Sequence, residues 1–216
     1  MYNLALVHRP RMFVANGHWP QGREAAEILE RSWLRIFRGV VDAARYTRAL
    51  CLHLEGKFDE SLQVLATVRS TKQMRYAALT LEAGNLVLLG RDAERVEALL
   101  DEARLHKVLP EDLLLLALAK LSLGKRGEAE SFFASAGTTR PELDGPLIND
   151  PVFHYLRAMY LIKTGRAADS IADLVAASHA KQNSIYVDRA RELLPRAPNS
   201  EDDAPSSLGP HVLGDG

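Results

Sequence analysis

Apolar residues recur along this chain with a helical period and are parted at regular places by glycine. In residues 42–55, Ala43, Tyr46, Ala49, Leu50, Leu52 and Leu54 put an apolar group on nearly every turn. Gly56 follows, a residue that tolerates the left-handed conformation ending many helices. Residues 58–69 resume as an antiparallel partner, with Asp59 and Glu60 near its positive end. The pattern predicts further pairs at 74–89 and 91–106 about Gly90, at 111–123 and 127–136 about Gly124, and at 152–164 and 166–180 about Gly165. Pro110, Glu111 and Asp112 open the third of these as helix-start residues. Alternating β-branched runs are scarce, so the expected fold class is all-α.

Gly56, Gly90 and Gly124 are 34 residues apart. A fixed period of this length marks an array of stacked helix pairs, an α-solenoid. From Gly124 to Gly165 the interval grows to 41, and the added length falls in the turn-rich stretch 137–150. That stretch reads as a tolerated surface insertion or as a loop folded over a groove or onto a partner. Residues 184–194 predict a helix whose Ile185, Val187, Ala190 and Leu193 or Leu194 cover the last pair. From residue 195 the chain turns to Pro, Ser, Gly and acids, a composition expected to stay disordered. Upstream, residues 24–38 predict a helix ended by Gly39 and residues 1–8 a further one, a degenerate fifth pair. The expected layout is 1–41 as a divergent helical segment packed on the repeats, then repeats at 42–75, 76–109, 110–150 and 151–180. A capping helix within 181–194 and a tail at 195–216 complete it. Met1 opens directly onto Tyr2, Asn3, Leu4 and Ala5 without a capping residue, so a chain cut from something longer is expected.

Composition narrows the classes. The apolar share is 47% and the charged share 25%, ordinary for a soluble domain, and a net charge of −1 gives no global field toward nucleic acid or an anionic membrane. The first fifty residues are basic, with Arg9, Arg11, Arg23, Arg31, Arg35, Arg38, Arg45 and Arg48 against Glu24, Glu27, Glu30 and Asp42. Solvated helix faces are the expected use of these cations, with a basic docking patch the alternative. Cys51 is the single cysteine, so no intrachain disulfide forms. Arg9, Pro10 and Arg11 interrupt any signal-peptide layout, and the longest apolar run, 113–119, is too short to span a bilayer. The expected location is cytoplasmic, with no membrane insertion.

The repeating residues resemble the tetratricopeptide-repeat family. One unit reads Ala49, Gly56, Ser61, Leu65 and Val68; another reads Ala117, Gly124, Ala129, Phe133 and Ala136; a third reads Ala158, Gly165, Ser170, Leu174 and Ala177. The unit with Ala83 and Gly90 has Arg95 where a small residue belongs. A slip of one residue restores Val96, Leu100 and Ala103, which predicts a longer turn there. Departures are Arg45, Leu79, Leu113 and His154 in place of the family's aromatic, and Lys120 at a usually apolar place. The resemblance spans about 42–180 and implies a right-handed solenoid whose first helices line a concave groove. On that basis the groove residues are Tyr46, Leu50, His53, Thr80, Gly84, Val87, Leu114, Leu118, Leu121, Tyr155, Met159 and Ile162. The set lacks the Lys, Asn and Arg with which one subclass of the family grips carboxylate tails. It suits an amphipathic helix or an apolar extended segment, unless the repeats bury it on themselves.

No catalytic constellation emerges. Gly56–Lys57 and Gly124–Lys125 lack the upstream glycine and the Ser or Thr of a phosphate loop. His8, His18, His53, His106, His154, His179 and His211 are scattered without ligand spacing, and Cys51 has no cysteine partner for zinc. Cys51 and His53 lie two apart on one helix, hence on different faces. Asp59, Glu60, Glu128 and Asp169 open second helices, where the macrodipole accounts for them. The expectation is a non-enzymatic adaptor, scaffold or chaperone subunit without cofactor or metal, binding a protein segment. The alternatives are the repeat segment of a larger signalling or transcriptional regulator, or a constitutive subunit of a large assembly.

Overall fold

The computed structural model describes residues 9–10, 12–68, 72–139, 151–181 and 183–194. Among them all regular structure is helical: α1 (Trp19–Arg31), α2 (Arg38–Leu54), α3 (Phe58–Leu65), α4 (Lys72–Leu89), α5 (Ala93–Arg104), α6 (Pro110–Ser122), α7 (Arg126–Thr139), α8 (Pro151–Lys163), α9 (Ile171–Ser178) and α10 (Ile185–Leu193). Short 3-10 helices at Trp33–Ile36 and Ala167–Ser170 precede α2 and α9, and residues 9–10 and 12–15 are also helical. The helix expected at 1–8, most of the insertion at 137–150 and the tail at 195–216 lie outside the described residues.

Adjacent helices pack in pairs, α2 on α3, α4 on α5, α6 on α7 and α8 on α9, and α1 packs on α2. Each pair turns in the same way. Gly56, Gly90, Gly124 and Gly165 all have positive φ, and each turn carries two crossed backbone bonds. At the first, Gly56 N–H donates to His53 O at 2.9 Å and Lys57 N–H to Leu52 O at 2.8 Å. These bonds satisfy carbonyls that a helix end leaves bare. The second turn is longer by one residue: Asp92 takes φ 47° and α5 starts at Ala93. Arg95 is thereby exposed, while Val96, Leu100 and Ala103 are buried.

Small residues set the closeness of the pairs. Ala49, Ala83, Ala117 and Ala158 on the first helices, with Ser61 and Ala129 on the second and Ser170 in the 3-10 turn before α9, have at most 1% of their surface exposed. A larger side chain at any of them would hold two helices apart. Ser61 adds a bond across its pair, its hydroxyl donating to Ala49 O at 2.8 Å. The first helices also touch in succession, α2 to α4, α4 to α6 and α6 to α8. The main core lies between them and their partners, centred on Leu100, Leu114, Leu116, Leu156 and Leu174.

The N-terminal helix expected at 24–38 is two helices instead. Ser32 breaks it: its hydroxyl donates to Leu29 O at 2.7 Å and accepts from Leu34 N–H at 3.2 Å, bonds that compete with helix continuation. Gly39 therefore sits in the first turn of α2 rather than ending a helix.

Candidate functional site

The first helices present side chains to one face, and α10 crosses it. α10 packs on α8 and α9 and also reaches α2. Its Tyr186, Val187 and Ala190 are buried, and the Tyr186 ring lies 5.5 Å from both His53 and Tyr155. Cavities remain on either side of it.

The first cavity, of about 250 Å3, runs beside the N-terminal halves of α4, α6 and α8. Tyr46, Leu50 and His53 of α2 line it with Thr80, Gly84, Leu115 and Leu156, and Tyr186 closes it. Tyr46, Leu50 and Ala77 are shared with an adjoining cavity of about 340 Å3 walled by Val14, Ala43, Thr47 and Met74. Together they form a trough along α2 and α4. On the other side of α10, Val87, Leu118, Met159 and Arg189 line a cavity of about 260 Å3 beside the C-terminal halves of the same helices.

A buried chain of hydrogen bonds fixes the α10 crossing. Ser61 Oγ gives its proton to Ala49 O, so it accepts from Asn85 Nδ2 at 2.9 Å. Asn85 Oδ1 then faces His53 Nδ1 at 2.8 Å and can only accept, which assigns that imidazole proton to Nδ1. His53 Nε2 is left to accept from the Tyr186 hydroxyl at 2.5 Å. Burial pulls the His53 pKa down to about 4, against the raising effect of the Asn85 bond and with a lesser lowering from the Arg189 charge. The imidazole is neutral at pH 7. A Cβ at Gly84 would lie 3.5 Å from His53 Cε1, an ordinary contact distance.

Two more polar side chains are held within the fold. Asp112 is fully buried and accepts from Leu109 N–H at 3.0 Å and from the Tyr76 hydroxyl at 2.6 Å. Burial raises its pKa, and burial together with the bond to Asp112 raises that of the Tyr76 hydroxyl. Lys120 donates to Glu97 and Glu128, each at 2.6 Å, and these bonds raise its pKa to about 12. Cys51 is buried, and burial with the nearby Glu55 charge pushes its thiol to about 12, far from a reactive thiolate. Among the described residues no three His, Cys, Asp or Glu side chains gather as metal ligands.

The expected groove residues divide into three groups. Tyr46, Leu50, His53, Thr80 and Gly84 come together in the first cavity. Val87, Leu118 and Met159 line the one beyond α10. Leu114 and Tyr155 are buried in the core, and Leu121 and Ile162 pack against it. The sequence reading missed Tyr76, Leu115, Leu156 and Tyr186. In α6 every residue from Asp112 to Lys120 is buried, so no polar stripe marks which leucine faces inward. Tyr186 carried no signal, because the partner that gives it meaning lies 133 residues away.

No family model, no curated protein and no solved structure matches this chain.

Proposed function

We propose that this chain is a non-enzymatic interaction module, a tetratricopeptide-like array that holds an apolar or amphipathic segment of a partner protein in the trough along α2 and α4. The trough carries the reading: two cavities of about 250 and 340 Å3 joined through Tyr46, Leu50 and Ala77, with mostly apolar walls and few polar groups. The helix that borders it supports this choice of occupant. α10 docks with an aromatic ring, a β-branched residue and a small residue, Tyr186, Val187 and Ala190, as an amphipathic partner helix would. The repeated glycine turns and the buried small residues at matching places support the family reading.

Photo-crosslinking in the native source tests it. A benzophenone side chain placed at Leu50 or Ala77 is expected to give discrete protein adducts, and one placed at exposed Glu94 to give none. Ala77→Trp, which fills the trough, should abolish the Leu50 adducts without loss of helicity. Equal labelling from Glu94, or adducts indifferent to Ala77→Trp, would remove the trough from consideration.

A further inference from the structure

The turn that breaks the N-terminal helix leaves apolar side chains in water. Trp33 is 58%, Ile36 71% and Phe37 52% exposed. A 3-10 helix stacks residues three apart, so Trp33 and Ile36 share one side. Leu34 turns inward against Leu29, Ala44 and Val40 and anchors the turn. Arg35 N–H bonds Ser32 O at 3.1 Å and Phe37 N–H bonds Leu34 O at 2.9 Å, so the knob is held by its own backbone. Single exposed apolar residues are ordinary; three on one short turn are a patch.

Within the turn itself the charges are of one sign. Residues 31–41 contain no Asp or Glu, and Arg31, Arg35 and Arg38 alternate with the apolar side chains, all exposed. The other arginines nearby are engaged. Arg45 and Arg48 pair with Glu30, and Arg23 pairs with Glu55. Arg31, Arg35 and Arg38 have no ion-pair partner among the described residues. Arg23, Arg45 and Arg48 are partly exposed and paired, whereas these three share their surface with large apolar groups.

We infer that residues 31–38 form a peripheral anchor for an anionic lipid bilayer. The apolar side chains and the arginines select this occupant together. A second copy of the chain would set three arginines against three with no carboxylate from the patch to answer them. None of the three apolar side chains lines a cavity described above; they project from a turn, and a deformable interface accepts a projecting group without a matching pocket. Indole and phenyl rings favour the headgroup level, and arginine stems lie along the apolar boundary while their heads meet lipid phosphates. No described helix is long and apolar enough to cross a membrane, so the contact is with one leaflet. The inference does not depend on the trough.

Co-sedimentation with vesicles tests it, using the full chain at physiological salt. Vesicles of phosphatidylcholine with about a third phosphatidylserine should retain the protein, and pure phosphatidylcholine should not. Each arginine contributes about fivefold near such a surface, so the triple variant Arg31→Gln, Arg35→Gln, Arg38→Gln should bind on the order of 100-fold more weakly. Trp33 and the buried Trp19 are the only tryptophans, so emission should shift to the blue on binding. Trp33→Phe should still bind but lose that shift, which reports insertion of this ring. All these positions are exposed, and circular dichroism should stay unchanged. Equal binding to both vesicle types, no binding at millimolar lipid, or a Trp33 already shielded in a lipid-free dimer by analytical ultracentrifugation would each overturn the inference. The last result would assign the patch to a protein interface.

Discussion

Protonation of His53 removes the acceptor that holds the Tyr186 hydroxyl, and the fold resists it. The folded pKa of about 4 lies below the ordinary 6.5, so the unfolded chain takes up the proton first as pH falls. The contribution is whole above about pH 6.5 and is lost as pH falls through about 4, in total roughly 3 kcal/mol. Urea denaturation followed from pH 7 to pH 4 should show that decline. Tyr186→Phe keeps the ring but leaves Nε2 without a donor, a loss of about 1–3 kcal/mol at pH 7. It also removes a bond that favours neutral imidazole. The two proteins should therefore converge in stability as pH falls, and parallel curves would show that Tyr186 does not set the His53 pKa. At this scale the sequence was partly legible. Cys51 is buried in the apolar helix that the sequence shows, but His53 stands out only once Asn85 and Tyr186 are brought to it by the packing of helices distant in sequence.

The helix pairs were the most legible level, because each glycine turn repeats one local rule and the small residues mark where helices touch. Their cost can be ranked. Gly90 has φ +67° and open space where a Cβ would sit, so Gly90→Ala should cost only the left-handed strain, about 1–2 kcal/mol. Gly56 has φ +80°, and a Cβ there would lie 3.0 Å from Ile185 Cδ1 at the start of α10. Gly56→Ala should cost more than Gly90→Ala in parallel denaturant titrations, and equal costs would mean that Ile185 shifts freely. Lys120 is a charged side chain in the otherwise apolar stretch of α6 from Leu113 to Leu121. Glu97 and Glu128 answer its charge, and they belong to the pair before it and the helix after it. Removing one partner of a buried pair is costly where it leaves the other charge buried and alone, but the Glu128 side chain is 55% exposed and stays solvated. Glu97 keeps Lys125 at 3.2 Å, so Lys120→Met should stay within about 1 kcal/mol of the parent at pH 7. Lys120→Ala, which leaves a void, should fall by about 2–5 kcal/mol on the same measurement. The N-terminal break was not legible, because Ser32 is one polar residue in an otherwise helical pattern and its two bonds depend on local geometry.

An open array of helix pairs unravels from its ends, since terminal pairs have one neighbour and inner pairs two. Here the ends are joined. Trp19 Nε1–H donates to Asn183 O, Tyr186 reaches His53, Ile185 meets the Gly56 turn, and the Arg189 guanidinium lies 5.1 Å over the Phe58 ring. These contacts tie α1, α2 and α3 to the segment that follows α9. A helix read from sequence as a cap for the last pair thus also braces the first, and no local pattern could show it. The closure changes how the molecule should open. With both ends braced, amides of α2 and α8 should exchange at a free energy close to that of α6, as one cooperative unit. Tyr186→Ala breaks the hydroxyl bond and empties the ring's place against His53 and Tyr155. Native-state hydrogen exchange should then show α2 opening at a lower free energy while α6 keeps most of its protection, because α6 retains neighbours on both sides. If α2 and α6 lose protection by the same amount, the brace adds stability without coupling the ends. If α2 already exchanges far faster than α6 in the parent protein, the α10 crossing does not hold the first pair in solution.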